Sequence, residues 1–194
     1  MDPRGESPPH LIEEIYNLED ALVAAGFLNS FIRHADCVKI ANIAQMVNVI
    51  APILTRGDRV LIQSIFHVLE IYGRRRTGVS LRSYVDGPRY SGRKNGEVSY
   101  LDASVIRDGD RLHVFMTNRS VGESAPVRIE PAGVSKLRLE SGEMITGKGP
   151  KAVNSLEEPD EVGAVAFDQV TLDAGVAVTE LPALSVAALT LRMG

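Results

Sequence analysis

Tryptophan is absent from the sequence, and the aromatic residues that remain, five Phe and five Tyr, make up 5% of it. Surface platforms for polysaccharide usually present exposed rings, so this scarcity counts against such a role, and Tyr84, Tyr90 and Tyr100 are the only tyrosines of the second half. Cysteine occurs once, at Cys37, which excludes an intrachain disulfide and favours a reducing compartment. No apolar run is long enough to cross a bilayer. The best stretch, Ile40 to Leu54, is interrupted by Asn42, Gln45, Asn48 and Pro52. The opening residues carry Pro3, Pro8 and Pro9 among charges and do not resemble a signal peptide. A formal net charge of −4 gives no electrostatic case for nucleic acid or an anionic membrane. These absences predict a soluble, cytoplasmic protein with neither partner.

Two kinds of chemistry also lack a motif. His10, His34, His67 and His113 fall at no metal-ligand spacing, and Cys37 adds no second ligand, so no metal or other cofactor is expected. Gly92-Arg93-Lys94-Asn95-Gly96 reads as a turn between strands with no helix after it, unlike a phosphate-binding loop.

What is present divides into two halves. Asn17 before Leu18-Glu19-Asp20 is a helix start: the Asn side chain can accept from an orphan N–H, and the acids face the positive end of the dipole. Leu18, Leu22, Ala25 and Ile32 share one face, which predicts a helix from Leu18 to Ala35. Val38 to Ala44 is β-branched and short, and reads as a buried strand. A second helix is predicted from Val60 to Tyr72, with Leu61, Ile65, Leu69 and Tyr72 in phase. The following Arg74-Arg75-Arg76 suits a helix C-terminus at a domain junction, and phosphate contact is the other reading.

From Thr77 onward the period shortens. Tyr100–Ile106 and Arg111–Asn118 flank Arg107-Asp108-Gly109-Asp110, a strong hairpin signal. Further strands are expected at Ala125–Ile129, Val134–Leu139, Ala164–Leu172 and Leu184–Leu191, with Gly147–Gly163 as a surface loop. This rhythm predicts an antiparallel β-sandwich, jelly-roll-like, over residues 77–194. Residues 1–76 pose a problem. A helix, one strand and a helix cannot close a barrel, which takes about 250 residues. A lone parallel strand would also leave backbone groups unpaired.

The residues themselves suggest a resolution. Leu11-Ile12-Glu13-Glu14-Ile15-Tyr16-Asn17-Leu18-Glu19-Asp20-Ala21-Leu22 and Phe27-Leu28-Asn29-Ser30-Phe31-Ile32-Arg33-His34-Ala35-Asp36 resemble the last-but-one barrel helix of glycoside hydrolase family 51 α-L-arabinofuranosidases. Val38 to Ile53 is similar to the family's eighth strand and the loop beyond it. Gln63-Ser64-Ile65-Phe66 resembles the start of the eighth helix, and Leu181-Pro182-Ala183-Leu184-Ser185-Val186 the closing strand. The resemblance implies an α/β plus all-β chain: residues 1–76 as the C-terminal part of a (β/α)8 catalytic barrel, and 77–194 as the sandwich.

It further implies retaining hydrolysis of terminal α-L-arabinofuranosyl groups in arabinan or arabinoxylan oligosaccharides, and hexamers for the full-length enzyme. That chemistry needs two glutamates, one to protonate the leaving oxygen and one to attack the anomeric carbon, roughly 5–5.5 Å apart. The family carries them in Asn-Glu-Pro and Asp-Glu-Trp motifs, and neither motif is present. The chain is expected to begin beyond the nucleophile strand and to be inactive alone, so no catalytic residue is assigned. Asn154-Ser155-Leu156-Glu157-Glu158-Pro159 has the wrong arrangement for such a motif and reads as a solvated loop. Glu13 and Glu14 are adjacent, point in different directions, and read as a capped helix entry. One residue carries over. Gln45 matches the family's glutamine at the end of the eighth strand, which hydrogen-bonds the arabinofuranose, and a carboxamide offers sugar hydroxyls both donor and acceptor. Without the resemblance, Gln45 is a polar loop residue satisfied by backbone. Asn42 and Asn48 read as loop-holding amides. His67 departs from the aromatic residue usual there. The alternative reading of the whole chain is a non-catalytic carbohydrate-binding or assembly module.

Overall fold

The computed structural model describes residues 13–92 and 96–194. Helix α1 (Leu18–Arg33) begins where Asn17 predicts it. Asn17 Oδ1 accepts from the Asp20 N–H at 3.3 Å, while the Asp20 carboxylate accepts from the Asn17 N–H at 2.8 Å, a reciprocal cap that satisfies two donors. Helix α2 (Ser64–Arg74) starts four residues later than the periodicity indicates. The residues before it form a hairpin, β1 (Ile53–Arg56) and β2 (Arg59–Ile62), closed around Gly57 at φ +65. The β-branched Ile53, Thr55, Val60 and Ile62 favour this strand pair over helix.

The predicted strand Val38–Ala44 does not form. Residues 38–44 adopt no regular structure and are largely exposed. A parallel strand requires a hydrogen-bonding neighbour, and only an isolated parallel bridge between Val47 and Ile53 is present nearby. Of the elements expected in residues 1–76, the helices stand and the strand between them does not.

The remainder is an antiparallel sandwich, as expected. Its larger sheet holds six strands: β3 (Val79–Leu81), β6 (Leu101–Asp108), β7 (Arg111–Asn118), β9 (Leu137–Thr146), β10 (Gly163–Ala166) and β13 (Ser185–Met193), in spatial order β10-β9-β13-β7-β6-β3. The smaller sheet is β8 (Ala125–Ile129), β11 (Val170–Asp173) and β12 (Val176–Leu181), with β12 central. A separate hairpin pairs β4 (Arg89–Gly92) with β5 (Gly96–Ser99). The chain changes sheet between β7 and β8, returns at β9, leaves again at β11 and returns at β13. Residues Ala164–Leu172, which read as one strand, are therefore two strands in different sheets.

Alternation along β7 and β13 decides the layering. Leu112, Val114 and Met116, with Ala187, Leu189 and Leu191, meet Leu137, Phe167, Ala177 and Leu181 between the two sheets. Phe115, Val186 and Ala188 face the other way and join Leu18, Ala21, Leu22, Ala25, Val68, Ile71 and Tyr72 of the helices. The large sheet is thus covered on both faces, which is why β7 and β13 are almost continuously buried. At Gly142 a Cβ would lie 1.9 Å from the Phe167 carbonyl oxygen, so only glycine admits that crossing of segments.

Polar groups fasten helices to sheet. Asn29, fully buried, donates to Asp102 at 3.0 Å and accepts from the Tyr72 hydroxyl at 2.9 Å and Ser104 at 2.7 Å. Arg33 completes the cluster on Asp102 at 2.8 Å. Tyr72 stacks on Phe115 with centroids 4.2 Å apart, and burial pushes its phenol well up, so it stays a donor. The arginine run behaves as helix C-terminal cations at a junction. Arg74 and Arg75 grip the two oxygens of Glu143 at 2.7 and 2.6 Å, and Arg75 also donates to Thr190.

Replacing Asn29 with Leu leaves Tyr72, Ser104 and Asp102 without their partner. We expect a loss of about 2–4 kcal/mol, read as a lowered denaturant midpoint, against about 1 kcal/mol for Tyr72→Phe. A pH dependence also follows. Burial, then the nearby Arg75, pushes the His113 imidazole below its ordinary range, and burial does the same to His67 against opposition from Glu70 and Asp160. The unfolded chain therefore binds more protons, and this stability is full above the unfolded pKa of about 6.5 and lost as pH falls through it towards the depressed folded values. The melting temperature should drop from about pH 8 to about pH 5.5, less steeply in His113→Gln. Parallel pH profiles for the two proteins would contradict the assignment.

Candidate functional site

The segment from His34 to Pro52 runs between α1 and β1 without a strand of its own, and Gln45 lies on it. The Gln45 backbone is left-handed at φ +58, its side chain is exposed, and its Oε1 is 3.5 Å from the Ile50 N–H. Asn48 and Val49 are also left-handed, at φ +63 and +62. For a β-branched valine this conformation is a marked outlier, sustained only where surrounding contacts impose it.

Those contacts lie on one side of the loop. Asn48 Oδ1 accepts from the Thr55 N–H at 2.7 Å, and its Nδ2 donates to Thr55 Oγ1 at 2.9 Å. The Asn48 N–H donates to the Ile53 carbonyl at 2.8 Å. Val49 O accepts from the Glu14 N–H at 2.9 Å, and Ile50 O from the Tyr16 hydroxyl at 2.8 Å. Burial, reinforced by the carboxylates of Glu14 and Asp20, pushes the Tyr16 phenol up and keeps that proton in place. Gln63 is 1% exposed and lies between the two segments: its Nε2 donates to Ala51 O at 2.7 Å and its Oε1 accepts from the Tyr16 N–H at 2.8 Å. Sequence reading passed over Gln63 and Tyr16. Their partners are distant in the chain, so no signal in the sequence marks them.

On its other side the loop is bare. Ile40 is 77% and Met46 76% exposed, with Ile43 and Val47 also open. Apolar side chains are also exposed at Ile15 before α1 and at Val23, Phe27 and Phe31 along it, opposite the face that meets the sandwich. The Phe27 and Phe31 rings are 6.2 Å apart.

The other sequence candidates lie elsewhere. Asn154 is buried and ties its loop to β2 through Ile62 O at 3.0 Å and to Val162 at 2.7 and 2.8 Å. Glu157 is solvated beside Arg59. Glu13 and Glu14 precede α1 as extended chain, not as a helical turn. Among the described residues no group of three His, Cys, Asp or Glu side chains gathers as a metal site, and no helix is long and apolar enough to cross a membrane. His10 and the turn residues 93–95 lie outside the described residues. A cavity of about 1420 Å³ opens between the sheets, far from Gln45 in the fold, on aliphatic residues such as Leu81, Val105, Met116 and Val127. Its lining also carries charged residues, among them Arg82, Asp86, Arg128 and Glu130.

The Gln63 bridge yields a prediction. Gln63→Leu strips partners from the Tyr16 N–H and Ala51 O, and should cost about 2–4 kcal/mol. Amide exchange at residues 14–16 and 49–51 should rise well above that at α1, and unchanged exchange there would refute the bridging role.

The chain is similar over 186 residues, at 34% identity, to an intracellular exo-α-(1→5)-L-arabinofuranosidase of Halalkalibacterium halodurans, covering 91% of this chain and 36% of that protein. A protein of the same description from Streptomyces lividans is 34% identical over 179 residues, covering 91% of this chain and 27% of that one. Among solved structures, the family 51 arabinofuranosidase of Xanthomonas axonopodis pv. citri superposes with a TM-score of 0.87 at 30% identity, over 97% of this chain and 38% of that chain. The chain spans about a third of the length of the relatives it matches. The model of the α-L-arabinofuranosidase C-terminal domain matches residues 2–185, and the chain belongs to that family, matching a C-terminal part of family 51 arabinofuranosidases.

Proposed function

We propose that this chain serves as the closing part of a retaining exo-α-L-arabinofuranosidase. On this reading, residues 1–76 complete a (β/α)8 barrel and 77–194 form the sandwich behind it. The observation that carries it is the two-sided helix α1. A helix apolar on opposite faces belongs between two layers, and one layer is the outer face of the large sheet. The other would be barrel strands, covering Phe27, Phe31, Ile40, Ile43 and Met46. With neighbours to pair with, Val38–Ala44 would become the eighth strand and Gln45 would stand at its C-terminal end, where barrel enzymes hold substrate.

There Gln45 would donate to and accept from hydroxyls of a terminal α-L-arabinofuranosyl unit of arabinan or arabinoxylan oligosaccharides. The two carboxyl groups that protonate the leaving oxygen and attack the anomeric carbon would come from the preceding barrel strands. A cytoplasmic location and hexameric assembly fit this reading. For the alternative of a carbohydrate-binding sandwich, the supporting features are Tyr84, 89% exposed, and the tilted pair Tyr90 and Tyr100 at 4.7 Å. Retention on an arabinan column, lost in Tyr84→Ala, would favour it.

The main test joins the first two-thirds of the Halalkalibacterium halodurans relative to residues 13–194 of this chain. The joined protein should hydrolyse an aryl α-L-arabinofuranoside, whereas this chain alone should show no turnover. Gln45→Ala should lower kcat/KM by about 10- to 100-fold, the effect of one or two lost hydrogen bonds to substrate. A cooperatively folded joined protein without activity, or one indifferent to Gln45→Ala, would defeat the reading.

A further inference from the structure

We infer that Asn48 is a positioning residue for the sugar-binding amide of Gln45, an inference that rests on the proposed role of Gln45. The loop is anchored on one side and bare on the other, and Asn48 stands at the boundary. Every residue from Asn48 to Ala51 has a backbone or side-chain tie to Glu14, Tyr16, Ile53, Thr55 or Gln63. From Ile40 to Val47 the chain is exposed, apart from the isolated Val47–Ile53 bridge and the 3.5 Å approach of Gln45 to Ile50. The direction in which Gln45 leaves the anchored part is set at Asn48.

Three features suit Asn48 to this task. Its left-handed backbone turns the chain, and asparagine tolerates that region better than other residues with a long enough polar side chain. Its carboxamide accepts from the Thr55 N–H and donates to the Thr55 hydroxyl oxygen, so the turn cannot rotate without breaking two bonds. Its own N–H is spent on Ile53, which locks the turn to the same strand from the backbone side. Nothing in this set reaches towards substrate. Asn48 would act through the angle at which Gln45 is presented, and small misplacements of a binding group are costly to a rate.

A double-mutant cycle in the joined protein tests this, with activity normalised to the folded fraction from thermal melting. Asn48→Ala should lower kcat/KM by about tenfold or more, and Asn48→Asp, which keeps the acceptor for the Thr55 N–H and can accept from the Thr55 hydroxyl in place of donating to it, should recover most of the loss. In the Gln45→Ala background, Asn48→Ala should add less than about a twofold further loss, because its target is already gone. Two results would overturn the inference while sparing the role of Gln45: losses that multiply in the double variant, or a loss in Asn48→Ala that disappears on normalisation. If Gln45→Ala is itself silent, the sugar-binding reading fails and the inference falls with it.

Discussion

The buried carboxamide of Asn29 is the contact on which the rest of the arrangement depends. It sits fully buried where α1, α2 and β6 meet, and its bonds tie α1 to both of the others: to Tyr72 on α2, and to Asp102 and Ser104 on β6. Apolar packing alone would allow the two helices to slide along the sheet, since hydrophobic contact is non-directional. The amide fixes their register. The consequence reaches the loop. Its two ends are α1 and β1, its middle is held by Gln63 just before α2 and by Tyr16 just before α1, and so the helix spacing set at Asn29 determines where residues 48–51 can lie.

The large sheet is the second constraint. It separates two cores, and its central strands must carry apolar side chains on both faces. On the helix face some polar groups are paired, while the buried Thr117 hydroxyl has no hydrogen-bond partner. His113 and Thr190 sit opposite one another on β7 and β13, and Thr190 also takes the Arg75 guanidinium. The Arg75–Glu143 pair then closes the C-terminal end of α2 onto β9. A layered fold with polar ties at each contact can hold a strained loop at its margin, because the cost of three left-handed side-chain-bearing residues is spread over contacts that form anyway.

Local signals in the sequence were reliable where the chain satisfies itself locally. The Asn17 cap needs only Asp20, and the Asp108-Gly109 turn needs only the strands beside it, which pair as Asp108 with Arg111. Signals failed where pairing decides. Val38–Ala44 has strand composition but no partner, so its propensity counts for nothing. Strand β12 was missed because its turn, Ala174-Gly175, places alanine at φ +42, a conformation that composition does not advertise. The second helix was begun too early because β2 and the first turn of α2 are both apolar, and a short apolar run does not declare its period. The role expected of Gln45 comes only from family resemblance, and the ties of Gln63 and Tyr16 around its loop appear only in the structure, since those bonds join residues far apart in the chain.

On the proposed reading the amide of Gln45 performs no chemistry itself, so what this loop would contribute is orientation. Holding a sugar hydroxyl demands that the amide be aimed before substrate arrives, because ordering it during the reaction would add to the barrel's barrier. A segment whose outer side depends on strand neighbours would be aimed only in their presence. The anchored side answers that dependence: it is built entirely from residues of this chain, on elements locked to the sandwich. The division gives a physical reason for the sandwich to accompany the barrel on the proposed reading. The strand neighbours would supply the direction of the polypeptide up to Gln45, and the helix–sandwich unit would supply the fixed point, at Asn48, against which that direction is set.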